Sequence, residues 1–144
     1  MDYAIPVYRV SSVREAGLPC DTDKFRNSAT VSTLLHTYLA GTDREHFVVF
    51  FVDQKGVHTG SIGSLTASVV HPREVFKAAI LANAAAIVCG HNHPSGDVQP
   101  SREDRATTKR LVDAGKLLGI EVLEHIIIGN EGVYFSFADE NILS

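Results

Sequence analysis

The chain has 144 residues, 44% of them hydrophobic and 21% charged, which suits one folded domain and excludes both disorder and two average domains. A formal net charge of −4 offers no general field for nucleic-acid phosphates, though it leaves a local patch open. No apolar run approaches the roughly 20 residues that cross a bilayer, and no basic-then-apolar leader opens the chain, so no membrane association is expected.

Tyr3 to Val10 alternates weakly, and Pro6 makes it at best an edge strand. Ser11 to Lys24 reads as a loop, so residues 1–27 form a lead-in to a single domain spanning 1–144. From Ser28, residues Val31, Leu34, Leu35, Tyr38 and Leu39 recur at helical spacing up to Gly41. His46 to Asp53 is β-branched and aromatic with little alternation, the pattern of a strand buried on both faces. Val57 to Val70 supplies one or two further strands broken by Gly60 and Gly63. His71-Pro72-Arg73-Glu74 opens a helix with proline at its favoured first position, and Val75, Phe76, Ala79 and Ile80 make its inward stripe.

Ala85 to Gly90 is a short apolar strand that leads straight into His91. After a Pro/Gly-rich loop, Ser101 starts a helix that runs to about Leu118 and stops at Gly119. Val122 to Ile128 and Val133 to Phe137 read as a closing hairpin. Strands alternating with three helices predict an α/β sheet, only partly parallel, with helices on its faces.

The chemistry concentrates in His91-Asn-His93, followed by Ser101 and Asp104. Residues two apart on an extended strand point to one side, so both imidazoles project together from a strand end, where α/β sheets usually hold ligands. Asp104 in the first turn of the next helix can face back toward them. Two histidines and a carboxylate are the three-ligand set of an open zinc site. Ser101-x-x-Asp104 is equally a capping box, and the two roles can coexist if the Ser101 backbone caps while its hydroxyl faces the site. Cys89 shares the face of His91 but reads better as a buried core cysteine. Cys20 and Cys89 are far apart and fit no metal-finger spacing, which points to a reducing cytoplasm.

Spacing excludes several rivals. HNH nucleases spread their three residues over a ββα unit. Nucleobase deaminases need His-x-Glu and a later Pro-Cys-x-x-Cys. Metallo-β-lactamase-type hydrolases need an Asp and a His where this chain has Ser95 and Gly96. Barrel amidohydrolases need roughly 250 residues.

The ungapped string His91-x-His93-x7-Ser101-x2-Asp104 resembles the motif of the JAMM (Jab/MPN) metalloproteases. Val70-His-Pro-Arg-Glu-Val75, His91-Asn-His-Pro-Ser-Gly-Asp97 and His125-Ile-Ile-Ile-Gly129 look like its RadC branch, over about Ser28 to Phe137. The resemblance implies a three-layer α/β/α sandwich with a mixed central sheet, cytidine-deaminase-like, and one Zn2+ per chain. It implies His91, His93 and Asp104 as ligands, Glu45 as the water-activating base and Ser101 as the oxyanion partner. Glu74 competes for the base, but its first-turn place already suits the helix dipole. Longer RadC-like proteins carry a helix-hairpin-helix region that this sequence does not contain, and Glu124 stands where the family usually has Asp. His125 reads as capping a strand or as supporting a ligand. The expected activity is amide or isopeptide hydrolysis on a peptide-like partner; the competing reading is a non-catalytic, metal-stabilised accessory module linked to DNA repair or mobile elements.

Overall fold

The computed structural model describes residues 4–11, 13, 17, 24–25, 27–39, 42–66, 70–130 and 132–143, with the backbone alone over 62–66. Its elements run α1 (Ser28–Tyr38), β1 (His46–Val52), β2 (His58–Thr66), α2 (Pro72–Leu81), β3 (Ala86–Asn92), α3 (Arg102–Leu118), β4 (Glu121–Ile128) and β5 (Tyr134–Ser136). The strands make one sheet in the order β2-β1-β3-β4-β5. Only β3 and β4 run parallel, joined through α3; β1 with β2, β1 with β3 and β4 with β5 are antiparallel. The sheet is therefore mixed.

β1 shows why the molecule has three layers. Phe47, Val49 and Phe51 join Val75, Phe76, Ala79, Leu111 and Val112 of α2 and α3 in one core. Val48, Phe50 and Val52 join Val31, Leu34, Leu35 and Leu39 of the α1 region in the other. Each such side chain contributes roughly 1.5–3 kcal/mol when removed from water, so β1 and the fully buried β3 form the rigid spine of the sheet. A Cβ at Gly90 would run into the Leu35 side chain, so α1 lies directly on β3 one residue before His91.

Local chemistry sets the helix ends. Asn27 Oδ1 accepts the Thr30 amide, and His71 Nδ1 accepts the Arg73 amide ahead of Pro72. Gly119 at φ 74° ends α3 in the left-handed region. Three expectations change. Ala4 to Val10 forms no strand: its side chains bury nothing, Val7 being 95% exposed, and Pro6 has no amide to offer a ladder. Tyr3, Cys20 and Gly41 lie outside the described residues. Gly60 and Gly63 do not break β2, which pairs with β1 from His58 to Thr66 through two irregularities. Ile80 is 53% exposed, because the inward stripe of α2 is satisfied by Val75, Phe76 and Ala79.

Candidate metal centre

β3 carries the two imidazoles past its apolar stretch to the sheet's end, and the loop after it leads into α3. His91 Nε2 and His93 Nε2 lie 3.1 Å apart, as the two-residue spacing predicts. From α3, Asp104 reaches back so that Oδ1 stands 3.2 Å from His91 Nε2 and Oδ2 3.1 Å from His93 Nε2. Glu45, just before β1, places Oε1 3.6 Å from His93 Nε2 and 3.8 Å from His91 Nε2. The four residues each offer a ligand atom within 4.8 Å of the others. His91 is buried, while 42% of the Glu45 side chain is exposed, so the cluster opens on the Glu45 side.

Hydrogen bonds decide which nitrogens are bare. His93 Nδ1 lies 2.7 Å from the Asp97 carbonyl, which can only accept, so in the neutral ring Nε2 carries no proton. For His91 the argument runs through two more residues. Thr108 Oγ1 donates to the Asp104 carbonyl at 2.7 Å and so spends its only proton there. His125 Nδ1, 2.6 Å from Thr108 Oγ1, must then donate to it. Burial, and the neighbouring His91, hold the His125 imidazole well below its ordinary pKa, so it is neutral and its Nε2 is an acceptor. That atom lies 2.7 Å from His91 Nδ1, which donates, leaving His91 Nε2 bare as well. Phe47 stacks on His91 and Phe137 on His125, holding both ring planes.

Two bare imidazole nitrogens therefore face two carboxylates, a set of lone pairs that calls for a cation at its centre. A tetrahedral zinc site with ligand bonds of about 2.0–2.2 Å has ligand-to-ligand edges of roughly 3.3–3.6 Å. The 3.1–3.2 Å edges among His91, His93 and Asp104 need only a slight expansion to accept such an ion, so the residues fit.

Ser101 divides its atoms differently from expectation. Its hydroxyl oxygen accepts the Asp104 amide at 3.0 Å, and its own amide donates to Asp104 Oδ2 at 2.8 Å, closing a capping box. The hydroxyl itself caps the helix, while its proton remains available to another acceptor. The cap also anchors the Asp104 carboxylate, since its Oδ2 is one of the two oxygens facing the imidazoles. Glu74 is not part of the cluster: it pairs with Lys77 at 2.9 Å on the surface of α2.

Two residues emerge that sequence reasoning missed or underweighted. His125 caps nothing; it lies inside β4, 1% exposed, behind His91. Asn92, the unassigned middle of the His-x-His string, is also buried, with Oδ1 accepting the His46 amide at 2.7 Å and Nδ2 donating to the Arg44 carbonyl at 2.9 Å. Its carboxamide chemistry was the available signal. Glu124 faces away from the centre, accepting the His125 and Ala138 amides and the Ser136 hydroxyl. Cys89 is a core residue whose thiol is pushed up to about 12 by burial, then by Glu124.

Comparison with known proteins identifies a family. Residues 25–142 match the model of the family described as RadC-like JAB domain. A UPF0758 protein of Rubrobacter xylanophilus is 49% identical over 139 residues, 94% of this chain and 59% of that protein. A UPF0758 protein of Methanosarcina mazei is 46% identical over 83% of this chain and 54% of its own length. One of Staphylococcus haemolyticus is 48% identical over 81% and 53%. The chain thus spans about half the length of these relatives.

Proposed function

We propose that this chain, which belongs to the RadC-like JAB domain family, is a zinc-dependent hydrolase that cleaves an amide or isopeptide bond in a peptide-like substrate. The observation that carries the reading is the convergence of the His91 and His93 Nε2 atoms with the Asp104 carboxylate, and a second carboxylate standing just outside them. His91, His93 and Asp104 would hold the ion. When bound, zinc lowers the pKa of a water to about 7 and polarises a carbonyl.

The rest of the chemistry belongs to the chain's own side chains. Glu45 stands farther from the imidazoles than Asp104 does and is the most exposed of the four, which suits a group that takes the water's proton and delivers it to the leaving amine. Ser101 keeps a hydroxyl proton that its capping contact does not use, and it can donate this to the developing oxyanion. Among the described strands β2 lies at one end of the sheet, and its Thr66 pairs with His46 next to Glu45, so an extended peptide added beside that end of β2 would end near the centre.

Metal analysis tests the first half of this proposal. The purified chain should carry about one zinc per molecule, and His93→Ala should lose it. A mass-spectrometric screen against peptide and ubiquitin-like conjugates tests the second half: Glu45→Gln should keep the zinc and lose at least about a hundredfold in hydrolysis, as expected for a general base. Undiminished turnover by Glu45→Gln would remove Glu45 as the base.

A further inference from the structure

We propose that Asn92 is a positioning residue for Glu45: its buried carboxamide clamps the backbone on both sides of that glutamate and so aims its carboxylate at the imidazole pair. The proposal rests on the reading of Glu45 as the base, but the contacts behind it are independent of any activity. Oδ1 accepts the His46 amide and Nδ2 donates to the Arg44 carbonyl, and Glu45 is the single residue between them. Donor and acceptor match both partners, so the amide orientation is set by the backbone groups it meets.

The sheet explains why a side chain performs this task. The β1–β3 pairing ends at Phe47 and His91, while His46 stays paired only with Thr66 of β2 and Glu45 lies just before the strand. The Asn92 carboxamide takes over where the ladder stops, offering one donor and one acceptor as a peptide group would. Alternation along β3 puts Asn92 on the face opposite His91 and His93, so it acts on Glu45 through the chain and not on substrate. Glu45 needs such help. Its side chain is 42% exposed and flexible, and small misplacement of a reacting group is costly. Only a carboxamide of this length fits. Aspartate would set an acceptor against the Arg44 carbonyl, alanine would leave both backbone groups without a partner, and glutamine would be one methylene too long.

The test uses the full chain, isotopically labelled, with and without Co2+ as the probe ion. In the metal-free native chain, nuclear Overhauser contacts should join the Glu45 side chain to the His93 ring. Asn92→Ala and the isosteric Asn92→Asp should lose those contacts. In Asn92→Ala, amide exchange at His46 should also rise by about tenfold or more, as for one lost hydrogen bond. With Co2+ bound, the pseudocontact shifts of Glu45 should move in both variants while those of His93 and Asp104 hold. A general loss of structure would move all of them together, and Asn92→Asp guards against an unfolded alanine variant. Glu45 contacts and shifts unchanged in both variants would overturn the clamp. If Glu45→Gln hydrolyses substrate normally while the Asn92 variants displace Glu45, the clamp is supported and the base assignment falls separately.

Discussion

His125 shows how much a single unliganded residue contributes to this centre. It is buried between Phe47 and Phe137, and it ties the back of His91 to Thr108 on α3. Because the proton order runs His91 to His125 to Thr108 to the Asp104 carbonyl, one hydroxyl on α3 sets which nitrogen of the neutral His91 ring faces the Asp104 carboxylate. Thr108→Val keeps the shape and removes the hydroxyl, freeing His125 to take either tautomer. Metal affinity, read by chelator competition, should fall about 10- to 100-fold, the usual range for partners that orient a metal-bound histidine. An unchanged affinity would show that the relay does not set the His91 tautomer. The His91, His93 and Asp104 cluster was legible from residue types and spacing because all three lie within fourteen positions. The relay was not, since its contacts span 34 and 17 residues.

Among the elements, β4 repays attention because Glu124 fastens it to the turn that follows β5. Its carboxylate receives the Ala138 amide and the Ser136 hydroxyl, while Asp139 in the same turn accepts from Ser28 of α1. Burial raises the Glu124 carboxyl above its ordinary 4.5, although the Ser136, Ala138 and His125 donors oppose the shift. With the folded value raised, both states are protonated below the unfolded value and the site carries no penalty. As pH rises through the folded value, the fold must hold a buried charge and stability falls. Glu124→Gln retains two acceptor contacts and can donate to the Ser136 oxygen, so it should lose that slope. In urea titrations the variant should gain on the native chain between acid and neutral pH; a constant difference would contradict the raised value. The elements themselves were readable in sequence where composition or end signals were clear, as in the unbroken β-branched and aromatic run of β1 and the Ser101 and Gly119 ends of α3. The expected strand is absent over Ala4 to Val10 because weak alternation does not supply a partner strand.

For the whole molecule, the centre lies at the end of three elements, β1, β3 and α3, that share one core. His91 belongs to β3, His93 directly follows that strand, Asp104 belongs to α3, and Glu45 to the lead into β1. An ion bound there would stabilise the fold by about 2.7 kcal/mol at a hundred times its dissociation constant. Removing metal with a chelator should lower the melting temperature of the native chain, and zinc should restore it. His93→Ala should melt at one temperature under both conditions.

The sequence by itself determined the family resemblance, the order of elements and the histidine and aspartate cluster, because local periodicity and short spacings survive in one dimension. Only the tertiary structure decided that Glu45 and not Glu74 joins the cluster, that the Ser101 hydroxyl caps α3, and that Asn92 grips residues 44 to 46. Those outcomes depend on which strand ends meet and on where buried polar groups find partners. Asn92 and His46 are 46 residues apart in the chain and 2.7 Å apart in the fold. Burial makes that meeting obligatory, since a carboxamide withdrawn from water must be paired, and the packing of β1 against β3 determines with what.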